Sequence, residues 1–194
     1  MIGIWSAMRS ENKKPNKLHP LKHFITITRH RHLVCRYCWR LGLVWQGLTH
    51  DLSKYSPIEF WLGAKYYQGD RSPNDAERNE TGITLAWLHH KGRNRHHLEY
   101  WVDYRQEPDG TWVYGGNPMP IRFIAEMFCD RIAASKVYLG ENYFDGAPLA
   151  YYTSHEMGIL IHPKTAAEIE KMLIILKEDG EKAAFDYVRK RLQK

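Results

Sequence analysis

The sequence predicts an all-α fold, a helical bundle interrupted by one short hairpin or irregular loop. Three observations carry this. Apolar residues recur at helical spacing along most of the chain. Runs of alternating β-branched residues are almost lacking outside one short segment. Cap and turn residues stand at the ends of the periodic stretches. At 194 residues the chain is most economically a single domain, residues 1–194, long enough to bury a sizeable core.

Residues 1–19 read as a loosely packed N-terminal arm. Its start, MIGIWSAMRSENKKPNK, is apolar for only a few residues before charges begin, so it does not read as a secretory signal. From about residue 20 to 42, Phe24, Ile27, Val34, Cys38 and Leu41 share a helical stripe. Gly42 and Gly47 then loosen the chain. A second helix is expected over 56–69, with Ser56 as N-cap, Pro57 at the first helical position and Glu59 completing a capping box. The polar stretch 69–82 reads as a loop, and 83–90 as a helix that stops at Gly92. Asn94 is a good N-cap for a further helix over 94–105. Pro-Asp-Gly and Gly-Gly within 106–120 mark the hairpin or lid-like loop. Residues 121–140 form a strong amphipathic helix, with Ile121, Ile124, Phe128, Ile132 and Ser135 along one side and Ala125 and Cys129 beside them. After a Tyr-rich loop, residues 163–194 supply two closing helices separated at Gly180.

Composition narrows the function classes. Hydrophobic residues make up 43% and charged residues 26%, ordinary for a globular protein. No stretch approaches the roughly 18 apolar residues of a membrane helix, which predicts a cytoplasmic protein without a membrane partner. A formal charge of +6 suits a protein that handles anions. The basic residues are scattered, so the charge allows a nucleic-acid partner without indicating one. Cys35, Cys38 and Cys129 are odd in number and show no framework spacing, which reads as reduced structural thiols.

Histidine is the unusual feature. Eleven are present, clustered in TRHRH, THD and HHKGRNRHH. A divalent ion wants imidazole nitrogens and carboxylate oxygens from several elements, with positions left open for water and substrate. His50 and Asp51 are adjacent, hence about 100° apart on a helix, and converge only near an element's end. The flanking Gly47 supplies that freedom.

His30-x-x-x-Val34, then HDLSK at 50–54, then Asp130 within EMFCDRIAAS resemble the HD-domain superfamily, which includes many metal-dependent phosphohydrolases. More narrowly, GLTHDLSKYSP, AWLHHKGRNRHH and EMFCDRIAASKVYLG resemble a bacterial and phage family of HD-like proteins labelled a domain of unknown function, over roughly residues 20–180. The resemblance implies an HD-like helical bundle. It implies His30, His50, Asp51 and Asp130 as metal ligands, with His32 competing with His30, and Lys54 beside a substrate phosphate.

HHKGRNRHH departs from a one-metal pattern. His89 and His96, like His90 and His97, are seven apart, about 10.5 Å on an unbroken helix. Gly92 and Asn94 break the helix, so the pairs can fold back on each other. Either one histidine of each pair holds a second metal, or the stretch grips substrate phosphate at a helix N-terminus and supplies a general acid. On these grounds catalytic roles are expected for Asp51, Lys54, His90 and His97. Substrate contacts are expected from Lys54, His89, Lys91, Arg93, Arg95 and His96. Glu126, one turn before Asp130, either orients a ligand, serves as a base or makes a surface ion pair. Trp87, Trp101, Tyr66 and Tyr67 are candidates for stacking on a nucleobase, with core packing the plainer reading. Asn142 and Tyr143 read as turn residues.

The expected function is a phosphohydrolase acting on a nucleotide or other small phosphate ester. It would use one or possibly two divalent ions (Mn, Fe, Zn, Mg, Ni or Co). The alternatives are a dinuclear-iron oxygenase and a non-catalytic basic module for nucleic acid or a nucleotide.

Overall fold

A computed structural model describes residues 17–154 and 160–193; most of the expected N-terminal arm lies outside the described residues. The chain is mostly α-helical with one two-stranded sheet. Helix α1 (Pro20–Arg40) opens the bundle, and α2 (Val44–Thr49) folds back against it. A 3-10 turn over Leu52–Tyr55 leads to α3 (Pro57–Lys65), α4 (Pro73–Thr81) and α5 (Leu85–Lys91). A second 3-10 turn, Leu98–Trp101, feeds strand β1 (Val102–Gln106), which pairs antiparallel with β2 (Trp112–Gly116), Tyr104 opposite Tyr114. Helices α6 (Ile121–Leu139), α7 (Ala147–Ser154) and α8 (Pro163–Leu192) complete the molecule.

The core lies where α1, α6 and α8 meet. Val34 and Cys38 from α1, Phe128, Cys129 and Ile132 from α6, and Met172, Leu173, Leu176 and Val188 from α8 are fully buried in one cluster. The periodicity of α1 and α6 predicts these faces, with one exception. Phe24 stays 45% exposed and meets the edge of Tyr55 instead of the core. The three cysteines are free thiols. Gly47 has a packing reason: a Cβ there would come within 2.9 Å of the Cys38 Cβ, so only glycine lets α2 lie this close to α1. That contact brings the end of α2 toward the face of α1 that carries His30.

Four local expectations are corrected. Residues 94–105 do not form a helix; the chain makes turns and then enters β1. Trp101 is anchored there by its indole N–H to the Arg95 carbonyl, and the β-branched and aromatic residues that follow pair across the hairpin. The stretch 69–82 contains a real helix, α4, because Ser72 caps Asn74 N and Pro73 takes the first helical position. The Tyr-rich connection contains α7. The capping box at Ser56 is not made, because Glu59 is turned inward to two histidines. The two closing helices appear as one long α8, broken at Gly180, where φ of 81° and ψ of 175° interrupt the helical backbone. Among the described residues no helix is long and apolar enough to cross a membrane.

Candidate metal centre

Four elements deliver the site. On α1, His30 is one turn before Val34 and shares its buried face, whereas His32 points outward and is exposed. The open choice between the two therefore goes to His30. His50 ends α2 with an extended backbone, and Asp51 follows in the left-handed region at φ 52°, ψ 25°. It is the only non-glycine residue with positive φ among those described. This costs roughly 1–2 kcal/mol for an L-residue, less for Asp. The twist is what lets neighbouring side chains face the same point. Arg31 pins the turn from α1, donating from Nε to the His50 carbonyl at 2.7 Å and from Nη2 to that of Leu48 at 2.9 Å.

Three donor groups result among the described residues, the smallest being His50, His96 and Glu126, and Asp51 belongs to the other two. In the first, His30, His50, Asp51 and Asp130 each present a ligand atom within 4.8 Å of the others. Asp51 Oδ2 lies 3.6 Å from His30 Nε2 and 3.4 Å from His50 Nε2, and Asp130 Oδ1 lies 3.0 Å from His30 Nε2. In the second, Asp51, His90, His96 and His97 gather in the same way. Asp51 Oδ1 lies 3.2 Å from His90 Nε2 and 3.4 Å from His96 Nε2, while His90 and His97 face each other through Nε2 at 2.9 Å. His50, Asp51 and His96 are at most 2% exposed.

The hydrogen bonding at the centre is incomplete. His50 Nε2, His96 Nε2 and Asp51 Oδ1 are buried without a hydrogen-bond partner, whereas Asp51 Oδ2 is met by Lys54 and His30 Nε2 by Asp130. Each such group costs about 1–3 kcal/mol if nothing replaces water. The opposite ring nitrogens, by contrast, are well served. Glu126 accepts from Nδ1 of His50 at 2.9 Å and of His96 at 3.1 Å. Glu59 accepts from Nδ1 of His90 at 2.7 Å and also takes His89 Nδ1. An imidazole that donates from Nδ1 presents its Nε2 lone pair inward, the arrangement metal-binding histidines use.

Electrostatics agree with that donor chemistry. Burial would push the Asp51 carboxyl up, but the His50, Lys54 and His90 charges hold it well below the usual range. Asp130 is likewise held well below it, burial being outweighed by His30 and His50. Burial also opposes ionisation of Glu126, but the two imidazole N–H bonds bring its pKa to about 2. His50 is raised well above the ordinary imidazole value despite burial, by Asp51, Asp130 and Glu126. An imidazole that attracts a proton so strongly attracts a metal cation for the same reason. Burial and the neighbouring His96 and His90 keep His97 well below that value.

The other expected residues divide. Lys54 lies at the centre, its Nζ 2.6 Å from Asp51 Oδ2, with the side chain 30% exposed. His96, expected on substrate, belongs to the second donor group with His90 and His97. His89 turns aside to Glu59 and does not face the centre. Arg93 and Arg95 also do not face it. Exposure alternates along 93–96, so Asn94 and His96 go inward and the arginines outward. The arginines line a separate cleft with Gln46, Thr49, Phe123 and Glu126. Lys91 is half-buried at the end of α5. Asn94 caps no helix; its amide bonds the His90 carbonyl at 2.8 Å and Ser53 Oγ at 2.9 Å. Trp87 packs on His90 and His97, Trp101 on Phe123, Tyr66 is buried, and Tyr67 bonds Thr26. Arg31, Ser53 and Glu59 escape sequence reasoning; only a buried acid at 59, one turn into a helix, hints at any of them.

Residues 19–175 match the Family of unknown function (DUF5662). No curated protein and no solved structure matches the chain.

Proposed function

The chain belongs to that family of unknown function, and from its paired donor groups we propose that it is a metal-dependent phosphohydrolase of HD type that holds two ions. The observation that carries this reading is the Asp51 carboxylate. One oxygen, Oδ2, faces His30 and His50 and pairs with Lys54 Nζ, while the other, Oδ1, faces His90 and His96 and has no hydrogen-bond partner. A buried carboxylate set between two groups of imidazole nitrogens would help to hold an ion in either. The order His30, His50-Asp51, Asp130 on separate elements supports the HD assignment.

Five imidazoles and two carboxylates favour borderline ions such as Mn, Fe, Co, Ni or Zn over Mg. Ions so held would lower the pKa of a bound water from about 15.7 toward 7 and supply hydroxide at neutral pH. The chain's own residues do the rest. Glu126 and Glu59 keep three imidazoles turned with Nε2 inward. Lys54 stands at the exposed edge of the centre, where its charge offsets that developing on phosphoryl oxygens. Its ammonium is held charged, burial being outweighed by Asp51 and Asp130. The substrate on this reading is a nucleotide or other small phosphate ester in the cytoplasm.

The test is elemental analysis together with phosphate release from nucleoside monophosphates and p-nitrophenyl phosphate. Wild-type protein should carry two transition ions and lose hydrolysis on chelation. Asp51→Ala should carry neither. Undiminished hydrolysis by chelated protein would refute the reading. The histidine-rich donor set also suits two irons and oxygen chemistry; iron content and a Mössbauer signal, with no phosphate release, would favour that instead.

A further inference from the structure

Behind the histidine centre lies a cleft of about 220 Å³, lined by Gln46, Thr49, Arg93, Arg95, Phe123 and Glu126 together with His50, Asn94 and His96. His30, Asp51 and Asp130 are not part of its lining. Its wall toward the centre is made by the rings of His50 and His96, whose centroids are 4.3 Å apart. Glu126, on the cleft side, takes their Nδ1–H groups, so the cleft meets these histidines from the side opposite Nε2.

The hydrogen-bond donors of the lining can be accounted for one by one. The Gln46 amide is committed to the Arg122 carbonyl and to Glu126, and the Thr49 hydroxyl to the Trp45 carbonyl. The Asn94 amide serves Ser53 and His90. What remains is guanidinium. Arg93 uses one N–H on the His89 carbonyl, and Arg95 stands over the Tyr100 and Phe123 rings without a side-chain hydrogen bond. Among the described residues neither arginine has a carboxylate within ion-pair distance. The Glu126 carboxylate is engaged through Oε1 by the Nδ1 atoms of His50 and His96.

We propose that this cleft is a second binding site, distinct from the donor groups of Asp51, for a small oxyanion such as a phosphate or carboxylate group gripped by Arg93 and Arg95. Guanidinium forks match planar or tetrahedral oxyanions and bind them through charge-assisted hydrogen bonds. The volume is below the roughly 300–1,000 Å³ of pockets for drug-sized ligands, which limits the occupant to something the size of a headgroup or small metabolite. No ion at the histidine centre is required. The floor of the cleft is the carboxylate that orients His50 and His96, so an occupant would sense, and be sensed by, the centre through Glu126.

Sulfate, titrated calorimetrically into the purified full-length protein at low ionic strength, serves as probe. Saturable binding is expected, weakened about tenfold or more in Arg93→Ala/Arg95→Ala and unchanged in Lys54→Ala, which alters the opposite side. Both arginines are exposed; should the pair fail to fold, Arg95→Ala alone is read for the same loss. Absence of saturable binding to wild type overturns the proposal. So does binding that Lys54→Ala weakens and the arginine variants leave intact, since the anion would then sit at the histidine centre. Because the readout needs neither ions nor turnover, its failure is distinguishable from failure of the hydrolase reading.

Discussion

Two polar clusters lie against α6, and their hydrogen bonding differs. Toward its C-terminal end, Lys136 Nζ donates to Tyr37 Oη at 2.7 Å and to Glu181 Oε2 at 2.7 Å, and Arg40 pairs with the other oxygen of Glu181. This network joins α1, α6 and α8, and each of its charges has a partner. Two to three turns earlier, Glu126 and Asp130 face the histidine centre, where His50 Nε2, His96 Nε2 and Asp51 Oδ1 are buried and have none. A complete network has reached its lowest-energy state as folded and needs no ligand. An incomplete one of this size, buried and built from metal-ligating groups, is tolerated where a ligand supplies the missing partner. The difference separates structure from site more clearly than charge or burial does, since both clusters are charged and partly or wholly buried.

The contrast can be broken most severely at the apolar core between the clusters. Phe128→Ala should cost about 3–5 kcal/mol in denaturant unfolding, while folded protein keeps its metal content; loss of metal at unchanged stability would mean that core and centre are not separable in this way. Chelation comes next. If ions complete the histidine centre, removing them forfeits about 2.7 kcal/mol per site at a hundredfold excess over Kd, or roughly 5–10 °C in Tm. The same chelator should leave the Tm of Asp51→Ala unmoved. A finer cut is Glu126→Ala, which should weaken metal affinity about 10–100-fold, with Glu126→Gln falling between it and wild type because an amide oxygen still accepts from imidazole. Equal affinities in all three would deny Glu126 its orienting role.

The smallest effect concerns the complete network. Burial opposes ionisation of Glu181, but hydrogen bonds from Lys136 and Arg40 hold its pKa below the ordinary value. A depressed carboxyl stabilises the fold above its unfolded pKa, and the contribution fades as pH falls through the folded one. Glu181→Gln should therefore be about 1 kcal/mol less stable near neutral pH, and the gap should close in acid. A gap that persists there would point to packing instead of charge.

Much of the first donor group could be read along the chain. The resemblance to the HD pattern implied His30, His50, Asp51 and Asp130, and His30 does share its buried helical face with Val34. The second group was less accessible. His96 and His97 lie in a turn with no period, and the helix expected at 94–105 gave way to a strand whose indole anchor and cross-strand pairs outweigh the Asn94 cap. Arg93 and Arg95, expected on substrate phosphate, line the adjoining cleft because exposure alternates along the turn. Glu59 looked like half of a capping box because a glutamate three residues after a serine satisfies that motif whether or not it faces the cap.

What the sequence determined by itself is the long helices α1, α6 and α8, the faces they bury and the imidazoles and carboxylates they and their neighbours carry. Those follow from side-chain periodicity and chemistry, which are properties of one element at a time. Only the tertiary structure decided that one aspartate in a left-handed turn serves two donor groups, and that two glutamates turn the rings toward it. Convergence depends on how helices cross and how a turn twists, and no spacing within a single element encodes either.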